Sequence, residues 1–182
     1  MEIEVSAQAK DRRLNRRVAI TVVMLSVFMA LCNIKDGNIV QAMQQAQSDA
    51  VDRWGQYQAT RTKQHIVETA RAQIAVTAPA AKATLEDFDR QIGKYRAEAP
   101  KLAQQARASS DRYDALNVHD DQFDASEAMV STAVSLAAVA ALAETSLPLL
   151  IGWVFGAMGV AMGIFGFTAI TFDPSALSGF LG

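Results

Sequence analysis

The chain is short of most of the residues on which site chemistry is built. Cys32 is its one cysteine among 182 residues, so no intrachain disulfide framework exists. Without a second ligand near it in sequence, Cys32 reads as a small buried thiol inside an apolar run, not as a metal or redox centre. The two histidines, His65 and His119, are far apart, and no zinc-type spacing, nucleophile elbow or glycine-rich phosphate loop is present. No enzyme activity, cofactor or metal is expected. A net charge of −2 provides no general basic field, so nucleic acid is not an expected partner. Proline is absent from Asp36 to Thr77, which leaves that stretch free to run as helix.

What the chain does have is segregated hydrophobicity. Apolar residues collect in Val18–Ile34, Ala128–Ala143 and Leu147–Phe172, while most of the charge lies between the first two. A spanning helix needs about 20 apolar residues at 1.5 Å rise each. The pattern predicts an all-α membrane protein. Its segments are a basic amino terminus (1–17), three spans (18–34, 128–144 and 147–172), a helical module (35–127) and a short tail (173–182). Val18–Ile34 is slightly short, and Arg17 and Lys35 extend it by snorkelling. The basic block before it has the shape of a signal peptide, but no small-x-small pair closes the run, so an uncleaved anchor is expected.

Orientation follows the basic bias at the span ends. Lys10, Arg12, Arg13, Arg16 and Arg17 precede span one, whereas "HDDQFDASE" before span two is acidic. The amino terminus is therefore expected in the cytoplasm of a bacterial cell, at the inner membrane, with the helical module in the periplasm. Membrane lipid is the first expected partner.

Within the module, Val40, Met43, Ala50, Trp54 and Tyr57 recur near a 3.5-residue period, and Ile66, Ala70 and Ile74 continue with a shifted phase. A break is expected at Pro79, with Thr84 and Asp87 capping the next helix. That helix carries the clearest repeat of the chain: Leu85, Phe88, Ile92, Tyr95, Ala99, Leu102, Ala106, Ser109, Tyr113 and Leu116. Alternating steps of three and four make a coiled-coil-like seam, interrupted by Pro100, which is expected to kink or break it. An antiparallel helical hairpin is the economical arrangement, and its seam of Ala, Ser and Gln is weak enough that a homo-oligomer is expected to complete its burial.

"DRWGQYQATRTKQHIVE", with Trp54, Tyr57, Gln58, Ala59, Lys63 and Gln64, resembles the bacterial family DUF4337. The basic start "DRRLNRRVAI", the return "HDDQFDASEAMVSTAVSLAAVAAL" and a closing apolar span fit the same pattern. The resemblance implies three spans with a helical extramembrane segment, and it implies no activity.

Three polar groupings stand out. Trp54, Tyr57, Gln58, Lys63 and Gln64, with Arg61 and His65 beside them, offer a face for a protein partner, although aromatic residues at helical spacing usually fill a seam. His119, Asp120, Asp121 and Asp124 include cation-binding residue types. Lacking a second histidine at i+3 or i+4, they read as solvated helix ends. Glu144, followed by Thr145, Ser146 and Pro148, reads as an interfacial turn.

The remaining feature is "IGWVFGAMGVAMGIFGF", in which Gly152, Gly156, Gly159, Gly163 and Gly166 recur at steps of four, three, four and three. They line one face of span three, and in lipid such a face lets helix backbones approach closely. The alanine-rich span two (Ala133, Ala137, Ala140 and Ala141) or another copy of span three is the expected occupant. These features predict an oligomeric structural, scaffold or adaptor protein. The alternative is an oligomeric channel or pore, for which the polar lining is thin: Ser131, Thr132 and Ser135 in span two, Thr168 and Thr171 in span three.

Overall fold

The computed structural model describes the backbone of residues 2–168 and the side chains of residues 12–168. The side chain of Lys10, the end of the third apolar run including Thr171, and the tail 173–182 lie outside the described residues. Three helices make up the described chain: α1 (Glu2–Thr77), α2 (Lys82–Leu142) and α3 (Leu147–Phe167). Each contains a stretch long and apolar enough to cross a membrane. The chain divides into two compact units. One is formed by the described parts of Met1–Gln41 and Ala115–Gly182, the other by Ala42–Asp114.

The helix ends follow local chemistry. α1 stops before a turn in which the Ala81 N–H bonds the Ala78 carbonyl, with Pro79 between them. α2 begins at Lys82, with the Leu85 N–H donating to the Ala81 carbonyl. Thr84 therefore lies inside the first turn and does not cap it, contrary to the sequence expectation. Pro100 does not break α2 either, because the helix runs through it. Pro100 is exposed, so the carbonyl that loses its hydrogen bond has access to water. At the far end of α2, Glu144 adopts a left-handed conformation (φ 51°), and the Thr145 N–H reaches back to the Ala140 carbonyl at 3.2 Å. This is a Schellman-type stop with glutamate where glycine is usual. Pro148 then sits in the first turn of α3, where its missing N–H costs nothing.

In the Ala42–Asp114 unit the two helices run antiparallel. Arg71 pairs with Asp89 through two hydrogen bonds, and Arg96 pairs with Glu68 at 2.9 Å. Partner numbers fall on α1 as they rise on α2. Every position of the Leu85–Leu116 repeat is buried or half-buried. On α1 the buried positions include Met43, Ala46 and Ala50, then Thr60 and Gln64. Ile66, expected in the stripe, is exposed. Ala70 and Ile74 are half-buried as expected, and Gln64, Glu68 and Arg71 continue the earlier 3.5-residue phase beside them.

The other unit gathers α3, the carboxyl half of α2 and the first part of α1. Its core is built from Val18, Ala137, Ala140 and Leu149, with Leu14, Val22 and Ala141 packed against them. Val130, Ala133, Ala137 and Ala140 are fully buried, whereas Ile20, Val23, Met24, Val27, Leu31 and Ile34 on α1 stand exposed. Small side chains inside and large apolar ones outside is the arrangement of helices that meet lipid.

Candidate functional site

The glycine face of α3 is closely fitted against its neighbours. All five glycines, Gly152, Gly156, Gly159, Gly163 and Gly166, are buried. Its occupants are α2 and α1 of the same chain. A Cβ added at Gly152 would stand 3.0 Å from the Ala133 carbonyl oxygen. One at Gly159 would meet Val130 at 2.8 Å and the Ser126 carbonyl at 3.0 Å. At Gly163 it would strike the Phe28 ring at 2.6 Å, and at Gly166 the Phe123 ring at 2.8 Å. Phe123 is further held edge-to-face against Phe167, with ring centroids 5.2 Å apart. On α2 the facing positions Phe123, Ser126, Val130 and Ala133 recur at the same alternating three and four steps as the glycines. Two 3.5-residue stripes thus meet in antiparallel register.

Polar groups cluster at one end of this unit. The Ser126 hydroxyl donates to the Gly159 carbonyl at 2.8 Å, tying α2 to α3, and Cys32 lies beside it, hydrogen-bonded to Ser126. Ser126, Cys32 and Gln122 are each at most 3 % exposed. One turn beyond Cys32, Asp36 of α1 is hydrogen-bonded to Asp120 of α2. Two carboxyl groups can share a hydrogen bond only when one of them holds a proton. Burial pushes Asp120 up to about 6, and the charges of Asp36 and Asp124 add to it. Burial raises Asp36 as well; the bond from Asp120 opposes that rise, while Asp124 and Glu127 reinforce it. Asp36 Oδ1 and His119 Nδ1 are buried without a hydrogen-bond partner among the described residues.

The expected sites are distributed as follows. Of the acidic stretch, Asp120 turns inward to Asp36 while Asp124 is exposed. Among the described residues no group of three or more His, Cys, Asp or Glu is placed to hold a metal ion. Trp54 and Tyr57 are half-buried and stack edge-to-face with centroids 5.6 Å apart; Gln58 and Lys63 are exposed. Gln64 is buried in the seam, where it accepts from Arg61 and donates to Glu68, each at 2.9 Å. These five residues therefore do not form one open face. The bonds from Gln64 and Arg96 hold the Glu68 carboxyl below its ordinary range. The Asp36–Asp120 pair escaped the sequence reading. Its signal was Asp36 at i+4 from Cys32, on the face that Cys32 buries.

A family model, Domain of unknown function (DUF4337), matches residues 14–169. No curated protein and no solved structure matches the chain. The chain belongs to the DUF4337 family.

Proposed function

From membership of a family with no assigned activity, we propose that this protein is a membrane-anchored structural or adaptor protein that works as a homo-oligomer. The three apolar helices serve as the anchor, and the Ala42–Asp114 unit serves as a coiled-coil-like contact module for further copies and for protein partners. The observation that carries this reading is the occupied glycine face. Since α2 and α1 already fill it, assembly between copies falls to other surfaces. The Ala42–Asp114 unit is the one that needs it. Its buried positions are Met43, Ile92 and Leu102 together with the small or polar Ala46, Ala50, Thr60, Gln64, Ala99 and Ala106, while Val51, Ile66 and Val76 stand exposed. A seam mostly of small and polar side chains buries little apolar area, and further helices packing on it would supply the remainder. The basic residues before span one favour an inner bacterial membrane with a cytoplasmic amino terminus and a periplasmic module.

Mass photometry of the purified chain in detergent tests this directly. Particles larger than a monomer are expected, and Val51→Lys with Ile66→Lys is expected to dissociate them. A monomer at every concentration would overturn the proposal. Proteoliposomes under ion gradients and applied voltage are expected to stay silent, and reproducible conductance would favour the pore instead.

A further inference from the structure

Arg12, Arg13, Arg16 and Arg17 are all exposed, and none makes an ion pair among the described residues. At about 100° per residue, the four fall within an arc of roughly 140° on α1. The opposite side of the helix carries Leu14, Val18 and Val22, which pack into the core against α2 and α3. The exposed apolar residues Ile20, Val23, Met24, Val27, Leu31 and Ile34 fall within the same arc as the arginines. One face of α1 therefore changes, along a single line, from guanidinium groups to bare hydrocarbon.

The lengths match a lipid leaflet. Arg12 to Arg17 covers about 7.5 Å of helix axis, and the headgroup layer on one side of a bilayer is about 5–8 Å deep. Arg17 to Lys35 covers about 27 Å, close to the hydrocarbon thickness of ~30 Å. A lipid whose tails lie along Ile20–Ile34 would have its phosphate beside Arg13, Arg16 and Arg17. Guanidinium binds phosphate oxygens with two parallel N–H donors, a geometry an ammonium lacks.

We propose that the Arg12–Arg13–Arg16–Arg17 face of α1 is a binding surface for the headgroups of anionic phospholipids. The occupant is lipid and not free phosphate, because the arginines lie in line with a stripe that only acyl chains would cover. The proposal shares with the proposed function only the premise that the helices cross a membrane. It stands whether the protein is a monomer or an oligomer.

The test uses the full purified chain, delipidated in neutral detergent and titrated with phosphatidylglycerol or phosphatidylcholine, with bound lipids counted by native mass spectrometry. Each basic residue near an anionic surface contributes a factor of about five, so a preference for phosphatidylglycerol of about tenfold or more is expected. Excess inorganic phosphate is expected not to displace the lipid. Arg12→Gln, Arg13→Gln, Arg16→Gln and Arg17→Gln together should abolish the preference with helical content unchanged. Should the fourfold variant not fold, the two paired variants, Arg12/Arg13 and Arg16/Arg17, should each reduce it. The fourfold Arg→Lys variant should retain part of it. Equal uptake of the two lipids, an undiminished preference in the Gln variants, or displacement by free phosphate would each overturn the proposal. Lipid counts are read independently of particle mass and conductance, so failure here is separable from failure of the scaffold reading.

Discussion

Gly159 and Gly156 occupy the same stripe but differ in what surrounds them. Beside Gly159 stand the Ser126 backbone carbonyl and the branched Val130, neither of which yields easily, and its own carbonyl accepts the Ser126 hydroxyl. Beside Gly156 the nearest atom is the terminal methyl of Leu25 at 3.2 Å, on a side chain that can rotate away. Inserting a methyl group into a close-packed interface costs about 1–3 kcal/mol where the surroundings cannot move. Gly159→Ala is therefore expected to destabilise the membrane unit by about 2 kcal/mol, and Gly156→Ala by well under half of that. Equilibrium unfolding in mixed detergent micelles compares them. Equal losses would contradict the backbone-contact argument. The residue scale also shows why the occupant of the groove could not be read from the sequence. A glycine stripe specifies close approach, and the same pattern suits an α2 of the same chain or an α3 of another.

At the scale of elements, the end of α2 carries the clearest departure from local preference. A left-handed glutamate costs about 1–2 kcal/mol relative to glycine, because its Cβ crowds the following carbonyl. Offsetting this, glycine is freer in the unfolded chain. Glu144→Gly is expected to stabilise the protein by about 0.5–1 kcal/mol, seen as a higher thermal midpoint in detergent. An unchanged or lower midpoint would count against the Schellman geometry. The helices themselves were largely legible. The repeat from Leu85 to Leu116 gave the buried face of α2 because its three-and-four spacing matches what the helix buries. The same spacing misplaces Ile66, since hydrophobicity is not what marks the seam there. There the seam is instead held by Arg61, Gln64, Glu68 and Arg96 bonding in series. Of the kink or break expected at Pro100, the break is absent for a related reason. A freed carbonyl on an exposed helix face is satisfied by water and does not compel a break.

For the molecule as a whole, the Asp36–Asp120 contact links stability to pH. A carboxyl whose folded pKa is raised binds its proton more tightly in the folded state. Its contribution is lost as pH rises from the ordinary carboxylate value, near 4, to the raised one. With Asp120 at about 6, stability is expected to fall between about pH 4 and 6 and then level off. Asp120→Asn keeps a donor for Asp36 at every pH. It should raise the thermal midpoint at pH 7.5 and flatten its decline from pH 5, and parallel profiles for the two proteins would contradict the shared proton. Periodicity announces only half of this pair, the i+4 step from Cys32 to Asp36, because its partners come from helices far apart in the chain and meet only through the register of α1 on α2.

The bond between Ser126 and the Gly159 carbonyl has a consequence for biosynthesis. Helix α3 follows α2 in chain order, so Ser126 is synthesised before its acceptor. In that interval the face of α2 that will receive the glycines has α1 beside it but not α3. Without α3, nothing approaches that face as closely as a glycine backbone does, and the Ser126 hydroxyl lacks its Gly159 acceptor. The arrival of α3 thus completes both the shape and the hydrogen bonding of α2 in one event. An unfinished chain therefore differs from a finished one by a Ser126 hydroxyl without its acceptor on the next helix.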